Sequence, residues 1–410
     1  MGARFAAFLL AALVTLPAFA AVDRAAIEQQ FQRWIVATAW PEAKAAKISR
    51  ATFDRAFAGV TLDWTMPDLI PPGTEAKPPT IEWQKEFGSP GSYFGEAQLT
   101  ALAKAGRAKL TPWKQTLVAV EKKYGVPRGI ILAVWAKETG YGAAALPKPA
   151  IRALATEAFM GRRAEFFRAE LVAGLAILER GDIAPEEMRS SVAGALGQPQ
   201  FMPSQFLRYA ADGDGDGRRD IWESVPDTLA SIARYLSGNG WDAGRGWGLE
   251  AKVPAGVACS LEGPEQFKPM SAWAKLGVTA VDGTPLPRGD KPAGLLMPAG
   301  RFGPAFIVTP NFYVLKKYNN SDLYALYIGN LADRISASGM AFAAPWGKVG
   351  GFDRGAVKAM QDALVRDGYD VGNADGLVGF KTRIAIGLWQ GKHGEAPTCF
   401  PDARHVTGIR

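Results

Sequence analysis

A mainly α-helical fold is predicted, interrupted by one small irregular or β-containing insert and closed by a compact C-terminal unit. Three observations carry this expectation. Apolar residues recur at helical spacing from Ile27, Phe31, Trp34 and Ile35 through to "SDLYALYIGNLADRISA" (321–337). One stretch, Ile130 to Ala136, has no polar residue, as expected of a helix buried on every side. Between residues 251 and 310 the pattern breaks into glycine, proline and short runs such as "GLLMPAG" and "AFIVTP".

The elements follow in order. "MGARFAAFLLAALVTLPAFA" (1–20) combines Arg4, an apolar run and the small-residue site Ala18-Phe19-Ala20, so it reads as a signal peptide cleaved after Ala20. The run is short for a membrane span, and no Cys follows the cut, which argues against a lipid anchor. Residues 23–60 carry helical patterning, and "ISRATFDRAF" within them opens with Ser49 as a cap. "IPPGTEAKPPT" (70–80) is a proline-rich loop. Helices resume at "EAQLTALAKAGRAKL", "WKQTLVAVEKKYG", "VPRGIILAVWAKETGYG" (126–142) and "RRAEFFRAELVAGLAILERG" (162–181). "AAPWGKVGG" (343–351) marks a boundary. Residues 21–345 are taken as one domain, 346–351 as linker and 352–410 as the last unit, with no internal repeat.

Composition excludes several function classes. The 410 residues, 48% hydrophobic and 21% charged, describe a globular chain long enough for two or three domains. A net charge of +7 suits anionic envelope polymers, and export makes nucleic acid a poor partner. The only histidines are His393 and His405, so no Ser-His-Asp triad, Cys-His pair or HExxH zinc site fits within the first 390 residues. Chemistry there must use carboxylates, hydroxyls, lysines or a hard metal. Export permits a disulfide between Cys259 and Cys399, but their distance in sequence neither supports nor excludes it.

"DGDGDGRRDIWE" (212–223) has the makings of a calcium loop. Asp212, Asp214 and Asp216 alternate with glycines, Gly217 takes the sixth place, Arg218 offers a carbonyl oxygen and Asp220 acts through water. The closing ligand is Glu223 at the twelfth place or the later Asp227. Arg219 departs from the pattern at position eight, a core position that Ile221 is expected to fill. Oxygen-only ligands favour a structural calcium ion, with a solvated Asp-Gly turn as the alternative.

Glu138 is the candidate for chemistry. It follows the apolar run and precedes "TGYG", so burial and the negative helix C-terminus both raise its carboxyl pKa. A carboxyl kept protonated near neutrality can protonate a glycosidic oxygen. A solvated helix cap is the competing reading. Glu157, Glu165 and Glu170 compete as acids but have charged or polar neighbours.

"AVWAKETGYG" (133–142) and "SVAGALGQPQFMPSQFLRYAADGDGDGRRDIW" (191–222) resemble the membrane-bound lytic murein transglycosylase B family, of SltB/MltB type. "FDRAFAGV" and "KKYNNSDLYALYIGNLADRI" (316–335) extend the resemblance over nearly the whole mature chain. It implies a lysozyme-like catalytic domain, periplasmic, cleaving the MurNAc–GlcNAc β-1,4 bond of peptidoglycan with Glu138 as the single acid/base. Substrate contacts implied by it are Ser191, Gln200, Phe201, Tyr235, Tyr318, Asn319 and Tyr324, with the aromatic rings stacking on sugars. Phe201 and Tyr235 have core packing as the plain alternative.

No second carboxylate is used in that family, and the C6 hydroxyl of MurNAc attacks C1 to leave a 1,6-anhydro end. No cofactor is required for that chemistry. Phe159 stands where a tyrosine near the saccharide is expected. The family's acidic loop is closed by a later carboxylate, which favours the set Asp212, Asp214, Asp216, Arg218 and Asp227.

"AVKAMQDALVRDGYDVGNADGLVGFKTRIAIGLWQ" (356–390) resembles a second family, the three-helix peptidoglycan-binding domain, although the match fades beyond Gln390. The expected partners are therefore peptidoglycan strands, with other cell-wall enzymes as protein partners and a monomeric state. A hydrolytic muramidase, a catalytically silent wall-binding scaffold and a calcium-regulated adhesin are the competing readings.

Overall fold

The computed structural model describes residues 23–75, 90–336, 341–349 and 352–409. The segment read as a signal peptide, residues 76–80 of the proline-rich loop and residues 350–351 of the segment read as a linker lie outside this set. The fold is mainly helical, with small sheets, as the sequence predicts.

Helix α1 (Arg24–Trp34) starts where the Asp23 carboxylate accepts the Ala26 N–H. It runs into a π-helical turn at Ile35–Ala39 just ahead of Pro41, whose missing N–H removes one donor from the next helix. After α2 (Trp40–Ala45), α3 (Arg50–Phe57) is capped by Ser49 as the sequence predicts. Then come α4 (Glu96–Leu110), α5 (Lys114–Tyr124) and α6 (Arg128–Thr139). α7 (Ala150–Met160) and α8 (Ala164–Glu179) pack together, followed by α9 (Pro203–Tyr209) and α10 (Val225–Gly238).

The apolar helix α6 runs through the main core, with Ile130 to Ala136 all buried. Gly129 is needed at its start, because a Cβ there would lie 2.7 Å from Ser336 Oγ and 2.9 Å from the Ala332 carbonyl. Gly140 ends it in the left-handed region (φ 58°), and the chain closes back through Gly140 N–H to Ala136 O.

The glycine- and proline-rich stretch forms a five-stranded antiparallel sheet in the order β4-β6-β7-β3-β5. Its strands are β3 (Gly248–Lys252), β4 (Lys268–Pro269), β5 (Thr279–Ala280), β6 (Pro292–Leu296) and β7 (Ala305–Val308), with the short helix α11 (Met270–Lys275) between β4 and β5. A separate two-stranded pair joins β1 (Lys148–Pro149) to β2 (Arg189–Ser190). β7 is buried on both faces: Phe306 and Val308 enter the main core, while Ala305 and Ile307 enter a second cluster with Trp273 and Leu295. Strands covered on both sides read as continuous apolar runs.

α12 (Pro310–Tyr318) and α13 (Asp322–Ile335) return the chain to the main core, α13 lying against α6. The C-terminal unit holds α14 (Arg354–Arg366), α15 (Phe380–Lys392) and a short α16 (Ala403–Gly408) around its own cluster of Met360, Leu364, Ile386 and Phe400. A closing helix is thus present after Gln390, begun by the Asp402 carboxylate, which accepts the Arg404 and His405 N–H groups.

The segment read as a linker is packed along its described length. Trp346 stacks on Phe94 with ring centroids 5.1 Å apart, and the Ala343 and Ala344 N–H groups each donate to the Glu250 carboxylate at 2.8 Å. Cys259 and Cys399 form a disulfide joining the sheet region to the tail, which resolves the pairing left open by sequence.

Candidate active site

Glu138 lies one residue before the end of α6, and α13 crosses so that Tyr324 faces it. The Tyr324 hydroxyl donates to Glu138 Oε1 at 2.5 Å. Burial raises the Glu138 pKa to about 7, against the opposing pull of that hydrogen bond and of the Lys137 charge. Among the described residues, Lys137, Tyr318 and Tyr324 face this carboxyl, and no carboxylate is among the groups that shift it. Lys137 itself lies 4.4 Å from the ring centroids of both Tyr93 and Tyr327. The Glu138 side chain remains half-buried, so a ligand can reach it.

The floor beside Glu138 is fixed by Gln198, which sequence reasoning passed over two residues before Gln200. Its side-chain oxygen accepts the Trp135 indole N–H at 2.8 Å, and its nitrogen donates to Trp222 O at 2.7 Å. Its carbonyl accepts the Thr139 hydroxyl at 2.9 Å, and Gly142 leaves room for it, since a Cβ there would lie 2.5 Å from Gln198 Oε1. Tyr141 (φ 65°) and Gln200 (φ 56°) both hold the left-handed conformation next to this floor, the kind of backbone strain that gathers at functional sites.

The expected sugar-stacking rings are placed differently from the sequence expectation. Phe201, Tyr235 and Tyr324 are only 1%, 4% and 2% exposed. They pack with Tyr318 as a cluster beneath Glu138, Tyr235 lying 4.7 Å from Tyr318 and Tyr324 stacking parallel to Tyr318 at 6.5 Å. Phe201, Tyr235 and Tyr324 packed this way have no free face for a saccharide, whereas Tyr318 is half-buried. Their hydroxyls are committed as well: Tyr235 donates to Lys317 O at 2.5 Å and Tyr318 to Pro199 O at 2.6 Å. Burial pushes the Tyr235 pKa to about 12 and those of Tyr318 and Tyr324 well above the ordinary value, so all three keep their protons.

The polar candidates lie nearer solvent. Asn319 is exposed at the end of α12, and Ser191 and Gln200 are half-buried. Ser191 Oγ accepts from the Ala193 and Ala195 N–H groups, while the Gln200 amide donates to Gly197 O at 2.9 Å. Phe159 is half-buried and packs against Phe31 and Trp34 of α1.

Of the competing acids, Glu165 is exposed, and Glu170 accepts the Ser204 N–H and hydroxyl. Glu157 is raised to about 7 by burial and by Asp68, but it lies buried under Gly161, where a Cβ would collide with it.

In the acidic loop, carboxylate oxygens of Asp212, Asp214 and Asp227 lie within 4.8 Å of one another. Asp227 is fully buried and anchored by the Gly213 and Asp220 N–H groups at 2.7 and 2.6 Å, and burial raises its pKa to about 6. Each oxygen keeps a lone pair, so the trio fits a hard divalent cation. Asp216 stands outside the trio and accepts the Arg218 N–H instead, and Arg218 and Glu223 are exposed. Gly215 and Gly217 supply the left-handed turns (φ 85° and 88°). Ile221 is fully buried in the core, and Arg219 pairs outward with Asp182 at 2.8 Å.

A raised carboxyl held by a tyrosine at the end of a buried helix, within a mainly helical fold, suits a transglycosylase of the lysozyme-like class. The family described as a transglycosylase SLT domain matches residues 30–333, and the chain belongs to it.

The chain is 30% identical over 275 residues to membrane-bound lytic murein transglycosylase B of Escherichia coli (strain K12), covering 65% of this chain and 71% of that one. SltB3 of Pseudomonas aeruginosa, solved with NAG-NAM-pentapeptide, is 38% identical with a TM-score of 0.79, covering 93% of this chain and 99% of that one. The Escherichia coli lytic transglycosylase Slt35, solved with calcium, is 29% identical with a TM-score of 0.51, covering 60% and 77%.

Proposed function

We propose that this chain is a peptidoglycan lytic transglycosylase in which Glu138 acts as sole acid and base. The observation that carries the reading is a carboxyl with a pKa of about 7, hydrogen-bonded by Tyr324 and, among the described residues, with no second carboxylate acting on it. Because Tyr324 donates to Oε1, the proton resides on Oε2, free to protonate the glycosidic oxygen between MurNAc and GlcNAc. The resulting carboxylate takes the proton of the MurNAc C6 hydroxyl as that oxygen attacks C1. A 1,6-anhydro end forms and no water is consumed. Retaining and inverting hydrolases place a second carboxylate across the bond, and the intramolecular hydroxyl takes its place by proximity.

The remaining assignments follow from the same reading. Export places the chain in the periplasm, and among the described residues no helix is long and apolar enough to cross a membrane. The C-terminal unit serves as a peptidoglycan-binding module that raises local concentration on the polymer. Ser191, Gln200 and Asn319 are the candidates for sugar hydroxyl and N-acetyl contacts, while Phe201, Tyr235, Tyr318 and Tyr324 set the position of Glu138.

Asp212, Asp214 and Asp227 hold a calcium ion whose role is to brace. Ile221 O accepts the Gln198 N–H at 2.8 Å, so the loop steadies the residue that fixes the end of α6. Digestion of purified sacculi followed by mass measurement of the muropeptides tests the reaction. Anhydro ends are lighter than reducing ends by one water. Reducing ends would indicate a muramidase, and no release at all would indicate a scaffold.

A further inference from the structure

Arg383, on α15 of the C-terminal unit, is only 3% exposed, yet it carries a charge into the junction between three parts of the molecule. Its Nε and Nη2 donate to Glu262 at 2.8 and 2.9 Å, and Nη2 also reaches Asp322 Oδ2 at 2.9 Å. Asp322 holds Lys316 of α12 through its other oxygen at 2.7 Å. Two cations and two carboxylates thus form one neutral cluster, contributed by the sheet region, α12, α13 and the C-terminal unit. Tyr313 faces the same charges, and Lys381 and Asp375 line the adjoining cavity of about 350 Å3 together with Asn320 and Asn373.

A buried ionic cluster adds little net stability over well-packed apolar residues, so geometry is its better-supported use. The geometry here is specific. Asp322 is the first residue of α13, and Ser321, its cap, accepts the Tyr324 N–H. Tyr324 lies two residues beyond Asp322 and bonds Glu138, while Tyr318 ends α12 just before the same corner. The guanidinium therefore grips the corner from which both tyrosines reach toward the acid.

We propose that Arg383 is a positioning residue of the active site: by holding Asp322 it fixes the Tyr324 hydroxyl on Glu138, so that docking of the C-terminal unit sets the orientation of the catalytic carboxyl. The inference rests on the transglycosylase reading of Glu138.

The test compares kcat, KM and pH profiles on a soluble peptidoglycan fragment for the wild type, Glu262→Gln/Arg383→Met, Tyr324→Phe and the combined triple variant. The double variant removes one charge of each sign, leaves the Asp322–Lys316 pair intact and keeps the unit tethered by the Cys259–Cys399 disulfide.

The expected result is a loss in kcat of at most about tenfold, the loss expected of Tyr324→Phe, with KM nearly constant. The alkaline limb should also move up by about one pH unit, because the lost Tyr324 bond is one that favours the carboxylate. The groups facing Glu138, namely Lys137, Tyr318 and Tyr324, are otherwise unchanged in the double variant. Tyr324→Phe should shift the limb equally, and the triple variant should shift it no further. Arg383→Lys should recover part of the loss.

A folded double variant with a wild-type limb and kcat overturns the proposal, as do additive shifts in the triple variant. If the double variant does not fold, Arg383→Lys decides: a limb moved in the same direction supports the proposal, and an unmoved limb overturns it. Failure of the underlying reading is visible separately, because the wild type would then release reducing ends or nothing.

Discussion

The acidic loop and the end of α6 use the same functional group in opposite ways. In the loop, three carboxylates converge with oxygens within 4.8 Å, an arrangement whose mutual repulsion a cation relieves. At the end of α6 no second carboxylate acts on Glu138 among the described residues, and burial keeps it protonated to about pH 7. Backbone N–H groups hold Asp212 and Asp227, whereas a tyrosine hydroxyl holds Glu138. Surroundings, not residue type, decide whether a carboxylate braces a loop or donates a proton.

The largest effect expected from breaking this comparison belongs to Glu138→Gln. Release from sacculi should fall by about a thousandfold, within the range for loss of a general acid, with binding retained. Its stability has a sign that can be checked. The folded pKa of about 7 lies above the ordinary 4.5, so the contribution of Glu138 is present below 4.5 and is lost as pH rises through 7. The Gln variant should therefore match wild-type melting at pH 4 and exceed it at pH 8.

Chelation is expected to come next. Removing a calcium ion held at a hundredfold above its Kd costs about 2.7 kcal/mol, read as a lower melting temperature, with activity at low temperature retained. Asp214→Ala should do the same. Loss of activity in that variant without a change in melting would sink the brace reading.

Tyr324→Phe should cost about tenfold in kcat and move the alkaline limb upward, because the lost bond is one that lowers the Glu138 pKa. Asp216→Asn should be the quietest change, shifting stability by less than about 0.5 kcal/mol, since Asp216 is exposed and stands outside the trio. A large effect there would return Asp216 to the cation site.

Glu138 was legible in sequence because a helix apolar all round leaves its first polar residues conspicuous, and Gly140 fixes where that helix stops. The acidic ladder was legible because its spacing is local. What was not legible depends on contacts between distant residues. Tyr324 lies 186 residues from Glu138, and Arg383 lies 121 from Glu262, so no periodicity relates them. The rings of Phe201, Tyr235 and Tyr318 suggest a sugar platform by type, and their packing on one another depends on contacts between segments far apart in sequence. β7 hid its alternation because both of its faces are buried. The packed linker escaped notice because Trp346 was read among glycines and prolines, while its partner Phe94 lies far back in the chain.

The Cys259–Cys399 bond spans 140 residues of sequence and so turns the chain between them into a covalent ring. That ring contains α12, α13, the Trp346 segment, α14 and α15. A protease that cuts once between α13 and α14 opens the ring without detaching anything, and the two fragments run as one species until a reductant separates them.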